Sequence, residues 1–304
     1  MRKSRLEQAA VLIGVIAPLI GTVFAIILLW QRLVTWRDLA ILGGMYFFTA
    51  IGITIGYHRM LTHRSFEAHP VVRFIFLALG SIAVEGPALE WASTHIKHHA
   101  TTDTDEDPHS PLAGFLHAHI GWIIYGQKAD PQTYGKWLLQ DRLVMAMSRT
   151  FLFWAVLGFV IPYLLGGWSG VLWGGLVRVF LTHHVTWSVN SVCHTFGRRM
   201  FETNDRSKNQ WLVGLLAFGE GWHNNHHAFP RSAFHGLRWW QFDLSGYIIR
   251  GLERLGLVRK VWRVPEGALQ ARLARRSSKS AVPAMPASVS DRSLATTTQR
   301  PPRS

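Results

Sequence analysis

Apolar and polar residues in this chain fall into long blocks rather than into turns of an amphipathic helix. No charged residue occurs from Ala9 to Trp30, and Leu39 to Tyr57 is again uncharged, with only a short turn edged by Trp30 and Trp36 between them. A helix needs about 20 apolar residues to cross roughly 30 Å of hydrocarbon, so each block has the length of a transmembrane helix. Phe151 to Leu165 and Trp168 to Val189 repeat the arrangement around a Gly166-Gly167 turn. The pattern predicts an all-α integral membrane protein with four spans, at about 9–30, 39–57, 151–166 and 168–189, arranged as two hairpins. Pro18 inside the first span is tolerable where neighbouring helices satisfy the freed carbonyl. Arg2, Lys3 and Arg5 precede that span as in a secretory signal, but it is longer than a signal core and a second span comes soon after, so it reads as retained.

Val71 to Val84 is apolar over about two-thirds of a spanning length, which suits a re-entrant or interfacial helix. The fourth span carries Arg178, His183 and His184, polar groups that in a span face protein or water. Residues 58–149 and 190–270 are left to form a helical cap, completing a membrane-embedded domain over 1–270. From Ala271 to Ser304 the sequence turns to Ser, Ala, Pro, Thr and Arg, which predicts a disordered tail.

Composition agrees with this reading. The 304 residues are 48% hydrophobic and only 16% charged, and the mean hydropathy of +0.12 excludes a disordered basic chain. Lys and Arg total 32 against 18 Asp and Glu, a formal net charge of +14. The two short turns hold only Arg32 and Arg37; the amino terminus, the middle loop and the carboxy-terminal region hold nearly all the rest. Positive-inside reasoning places those three segments, hence both termini and the cap, in the cytosol. An anionic leaflet then accounts for the basic balance without nucleic acid. One cysteine, Cys193, excludes an intramolecular disulfide framework and any Cys-rich zinc module.

Sixteen histidines remain, and many are spaced rather than scattered. His58 and His63 stand five apart, and His95-Ile-Lys-His98-His99 and His223-Asn-Asn-His226-His227 both read H-x2-H-H. Helical positions three and four apart share a face, so each H-x2-H-H is expected to aim three imidazoles at one point. Imidazole suits iron, copper, nickel or zinc, whereas magnesium and calcium take oxygen ligands. Eight imidazoles exceed what one ion holds, so two metals are inferred. Asn190-Ser-Val-Cys-His194 adds a ninth imidazole, with Asn190 on the same helix face and able to hold a water on one metal. His69, His109, His117, His119, His183, His184 and His235 lack this spacing and are left out of the ligand set.

Among the spaced histidines only His223 belongs to a Glu-x-x-His motif, Glu220-Gly-Trp-His223, which disfavours the carboxylate-bridged di-iron bundle. Nine ligands also overshoot a zinc hydrolase site. Paired redox metals beside a membrane point instead to oxygen activation on a lipid-soluble substrate.

The phrases Tyr57-His-Arg-Met-Leu-Thr-His-Arg-Ser-Phe66, Glu90-Trp-Ala-Ser-Thr-His-Ile-Lys-His-His99, Asn190-Ser-Val-Cys-His194 and Gly219-Glu-Gly-Trp-His-Asn-Asn-His-His227 resemble the membrane-bound fatty acid desaturases, most closely their Δ9 acyl-CoA and acyl-lipid members. The resemblance implies four spans under a cytosolic cap that holds a di-iron centre, with zinc as a replacement metal and O2 as co-substrate. Its ligands would be His58, His63, His95, His98, His99, His194, His223, His226 and His227, with Asn190 acting through water. Trp91 and Thr186 match residues that bend the acyl tunnel, and Glu85 stands where the animal acyl-CoA enzymes have glutamine. Gly86, Ser93 and Thr94 replace residues associated there with the CoA head group, leaving the carrier open among CoA, lipid and acyl carrier protein. No His-Pro-Gly-Gly heme motif occurs, so electrons would come from a separate ferredoxin or cytochrome b5-like donor with its reductase. The expected location is a bacterial cytoplasmic membrane. A histidine-box hydroxylase or ketolase is the nearest rival, and a metal transporter or a lipid-binding scaffold with structural zinc are rivals from other classes.

Overall fold

A computed structural model describes residues 3–31 and 33–281, and they are mostly helical. Among them, three helices are long and apolar enough to cross a membrane: α1 (Arg5–Trp30), α2 (Trp36–Thr62) and α5 (Phe151–Thr195). Between α2 and α5 lie α3 (Pro70–Ile82), α4 (Ala88–Thr101) and several short helical turns. After α5 come α6 (Trp211–Leu216), α7 (His223–Ala228), α8 (Leu244–Arg254) and α9 (Glu266–Ala281). Strands β1 (Glu67–Ala68) and β2 (Val258–Arg259) form a two-stranded antiparallel clip, with Glu67 opposite Arg259.

The starts of α1 and α2 are fixed by reciprocal capping boxes. Ser4 Oγ accepts from Glu7 N while Glu7 accepts from Ser4 N, and Thr35 and Asp38 repeat the exchange. Helix α5 contains both segments expected as the third and fourth spans. Its backbone leaves helical geometry at Gly167 (φ 59°, ψ −145°), where a side chain would be strained. The chain folds back there: a Cβ on Gly175 would lie 2.8 Å from Phe159 Cδ1, and Arg178 Nη2 donates to Gly158 O at 2.9 Å. Arg178 is fully buried and also donates to Gly174 O and Ile82 O, so its charge is spread over three carbonyls.

Two features of α2 set the position of the first histidine motif. From Gly52 to Thr62 the helix is π-wound, so it continues without a break through that motif instead of ending at Tyr57. Glycines let α3 approach this stretch closely: a Cβ on Gly52 would lie 2.3 Å from Gly80 N, and one on Gly80 would lie 2.5 Å from the Tyr57 ring. Tyr57 Oη and Ser81 Oγ, 2.8 Å apart, lock the contact.

The tail expected from Ala271 is corrected in its first turns, because α9 runs to Ala281. Ala, Leu and Arg favour helix there, and Leu269 and Leu273 pack with Phe201 and Phe229. The remainder of that expected tail, 282–304, lies outside the described residues.

Gly52→Val should lower the thermal midpoint of the purified protein sharply, or prevent folding, because overpacking costs roughly 1–3 kcal/mol or more and here meets backbone. Gly14→Val, with no atom within 4 Å of the new Cβ, should show the parent's thermal midpoint when both are followed by tryptophan fluorescence.

Candidate metal centre

The histidines of the three motifs, with His194, gather at the carboxy-terminal ends of α2, α4 and α5 and on α7, and they divide into two groups. His58, His63, His95, His99 and His226 form one; His98, His194, His223 and His227 form the other. Each H-x2-H-H motif therefore serves both groups, which corrects the expectation of one focus per motif. On α4, His95 and His99 belong to the first group and His98 to the second; on α7, His223 and His227 belong to the second and His226 to the first. Helix geometry explains the exchange. Residues four apart differ by about 40° around the axis, whereas adjacent residues diverge by about 100°.

In the first group the Nε2 atoms form a closed five-membered ring. His58 to His63 is 3.1 Å, His63 to His95 3.2 Å, His95 to His99 3.1 Å, His99 to His226 2.9 Å and His226 to His58 3.2 Å. Hydrogen bonds cannot account for it. A neutral imidazole Nε2 is either a donor or an acceptor, and donors and acceptors cannot alternate around an odd ring. Five lone pairs aimed at a common cation satisfy every member, and cis nitrogens about 3 Å apart match metal–nitrogen distances of roughly 2.1 Å. In the second group His194 and His223 Nε2 are 3.0 Å apart and His98 and His227 Nε2 are 3.4 Å apart. Burial, reinforced by neighbouring imidazoles, holds His63, His95, His98, His99, His223 and His226 well below the usual histidine range. Their lone pairs are thus free of protons at neutral pH.

Carboxylates behind the rings fix which nitrogen faces inward. His98 Nδ1 lies 3.0 Å from Asp107, His194 Nδ1 3.1 Å from Asp103, His227 Nδ1 3.0 Å from Asp205 and His58 Nδ1 2.6 Å from Glu220. An acceptor at Nδ1 holds the proton there and leaves Nε2 to bind metal. Burial pushes Asp107 up to about 6 even though the backbone N–H groups of Asp103 and His109 donate to it. For Asp205 burial is outweighed by His227 and by the Ser207 and Thr203 hydroxyls, which bring it below the usual carboxylate range. Glu220 is likewise held well down against burial by His58, His235 and Arg59. Arg59, itself fully buried, bridges Glu220 at 3.1 Å and Asp243 at 2.9 Å. The two asparagines of the third motif tie α7 to its surroundings: Asn224 Oδ1 accepts from Met200 N and Phe201 N, and Asn225 Nδ2 donates to His235 O and Gln241.

None of these carboxylates emerges from the histidine spacing, although Asp103-Thr-Asp-Glu-Asp107 directly follows the second motif and Glu220 stands three residues before His223. Two unspaced histidines also reach the centre. His235 lies 3.2 Å from Glu220, and the His109 ring centroid is 4.2 Å from that of His98.

A mostly apolar cavity of about 500 Å3 adjoins both groups, and His58, His95, His223 and Asn190 line it. Trp91, Thr186 and Glu85 line it as well, and they are joined: Trp91 Nε1 donates to Glu85 Oε2 at 3.0 Å and Thr186 Oγ1 to Glu85 Oε1 at 2.7 Å. The Trp91 ring stacks on His95 at 5.3 Å. Val84, just before Glu85, has φ +67°, a conformation a β-branched residue rarely adopts, and His183 Nε2 donates to its carbonyl at 3.0 Å. Burial, opposed by the two hydrogen bonds, pushes Glu85 up to about 7.

Comparison with known proteins identifies a family. Residues 35–252 match the fatty acid desaturase family model. The chain belongs to the fatty acid desaturase family. It is 42% identical over 246 residues to the sn-1 stearoyl-lipid 9-desaturase of Anabaena variabilis, covering 80% of this chain and 89% of that one. It is 39% identical to the hex-5-enoyl-[acyl-carrier protein] acetylenase of Moorena producens (strain JHB) over 80% of this chain and 82% of the relative. The acyl-CoA C20 Delta5-desaturase of Anemone leveillei is also 39% identical, over 80% of this chain and 79% of its own. This desaturase is thus an oxidoreductase acting on a fatty acyl chain, and a membrane protein.

Asp205→Ala removes the acceptor behind His227, and its side chain is only 12% exposed. Metal affinity at the group of His98, His194, His223 and His227 should fall roughly 10–100-fold. Metal analysis after dialysis against a chelator should find one ion per chain in the variant where the parent keeps two.

Proposed function

We propose that this desaturase introduces a cis double bond at Δ9 of a saturated acyl chain, using two iron ions, O2 and external electrons. The observation that carries the proposal is the odd ring of Nε2 atoms beside a second, four-histidine group, both bordering one apolar cavity. His58, His63, His95, His99 and His226 would hold one ion. His98, His194, His223 and His227 would hold the other, with Asn190 completing it through water. Zinc could replace iron in such an imidazole set. Bound iron would supply the oxygen-dependent oxidation, in which O2 and two electrons with two protons take up two hydrogens from neighbouring carbons and leave as two waters.

The protein's own part is positioning. Asp103, Asp107, Asp205 and Glu220 would keep Nδ1 of His194, His98, His227 and His58 protonated, so the inward nitrogens of these four stay available throughout turnover. The cavity would receive the acyl chain, and Trp91, Thr186 and Glu85, tied into one hydrogen-bonded bend, would set which carbons stop beside His95 and His223. The apolar wall keeps water from the reacting methylenes.

The chain would cross the membrane four times as two hairpins, with the fold-back at Gly167 as the second turn. The distribution of Lys and Arg supports a cytosolic cap and termini, in keeping with a bacterial cytoplasmic membrane. The relatives' names span lipid, acyl carrier protein and CoA carriers, so any of the three could deliver the acyl group. A separate ferredoxin or a cytochrome b5-like protein with its reductase would supply the electrons.

Expression in a desaturase-deficient host, followed by gas chromatography with double-bond localisation, should give Δ9 monounsaturated chains. His98→Ala at matched protein level should give none. Glu85→Leu strands the Trp91 and Thr186 donors, at about 1–3 kcal/mol each, and should lower product and broaden its double-bond position. Hydroxylated chains from the wild type would overturn desaturation in favour of a monooxygenase.

A further inference from the structure

The cap exposes an apolar surface that neither the metal groups nor the cavity uses. Helix α6 presents Trp211, Leu212, Leu215 and Leu216 outward while burying Val213 and Gly214. Trp239 is 93% exposed, and Trp240, Phe242 and Tyr247 are exposed beside it. Trp222 unites the two parts. Its indole packs on Gly214, meets Trp240 edge-on at 5.6 Å and donates Nε1–H to Phe242 O at 2.7 Å. Soluble surfaces rarely carry a contiguous apolar patch of this kind without a partner.

Its position in the fold identifies that partner. Tyr46, within α2, donates its hydroxyl to Leu216 O at 2.8 Å, and Phe218 packs edge-on against the Tyr46 ring at 5.8 Å. The patch therefore adjoins a membrane-spanning helix directly. Its tryptophans and tyrosine are the residues enriched where hydrocarbon meets headgroups. Arg250 and Arg254 share a helical face with Tyr247, and Arg238 adjoins Trp239; all three arginines are exposed. Aromatic rings among arginines suit an anionic leaflet, with the guanidinium groups at headgroup level.

We infer that α6 and the Trp239–Phe242 loop form an insertion surface that seats the cap in the cytosolic leaflet. The contact would do more than anchor. Trp222 directly precedes His223, so the lipid-seated patch and α7 share one buried indole, and the leaflet steadies the third histidine motif from outside. The inference rests on the membrane reading of the spans, and its test separates the two.

Cys193 is fully buried, so a single added cysteine takes a nitroxide label selectively. Labels at Trp239→Cys and Trp240→Cys would be compared in nanodiscs containing anionic lipid with Ile20→Cys on α1 and Asp105→Cys on the cap. Collision with O2 and with a water-soluble nickel chelate is read for each by electron paramagnetic resonance. The inference expects positions 239 and 240 to behave as Ile20 does, open to O2 and shielded from nickel. Nickel accessibility equal to that at Asp105, with Ile20 still in lipid, overturns the insertion surface and leaves the spans intact. Shielding from both probes with dipolar broadening shows a second copy on the patch and overturns it too. Nickel access at Ile20 overturns the membrane reading and the inference together.

Discussion

A neutral imidazole nitrogen has one lone pair, and the proposed two-metal centre would direct nine of them at two points. Most of the cap's architecture derives from that constraint. Four carboxylates sit behind His58, His98, His194 and His227 and hold the proton on the far nitrogen. Placing carboxylates in an interior is costly unless they are paired, and Glu220 has three partners, His58 at 2.6 Å, the fully buried Arg59 at 3.1 Å and His235 at 3.2 Å. Asp243 completes the Arg59 pairing and accepts from His235 N and Gly246 N, so each buried charge has ion-pair or hydrogen-bond partners.

The membrane helices supply the fixed frame. Gly52, Gly56 and Gly80 bring α2 and α3 to a distance that side chains would forbid, and this fixes Tyr57 and the adjoining His58. Two polar side chains of the helical layer are satisfied by backbone carbonyls: Arg178 reaches three and Thr49 bonds back to Met45 O. The cavity lies between this frame and α4, so the same elements shape the cavity and carry the histidine groups.

Much of the clustering of the histidines was legible in the sequence because helical spacing brings side chains to one face. His95 with His99, and His223 with His227, stand one turn apart and do share a group. The assignment of His98 and His226 to the opposite groups was not legible, since spacing alone does not say that two foci lie on either side of one helix. His58 and His63 are out of phase for an α-helix, and only the π-wound stretch from Gly52 to Thr62 brings them together, with His63 N–H donating to His58 O at 3.1 Å. The carboxylates were missed for a related reason: Asp103, Asp107 and Asp205 lie in loops, where no periodicity links them to the residues they support. The block pattern found the apolar segments but not that the second helix runs on into the cap, because a π-wound continuation leaves no mark in hydropathy.

The division into five and four imidazoles is the claim on which the rest stands, and diffraction at the iron absorption edge from crystals of the iron-loaded protein tests it most directly. Two anomalous peaks are expected, one enclosed by His58, His63, His95, His99 and His226 and the other by His98, His194, His223 and His227. A single peak, or a peak bound to His98 or His226 together with the wrong set, would contradict the assignment.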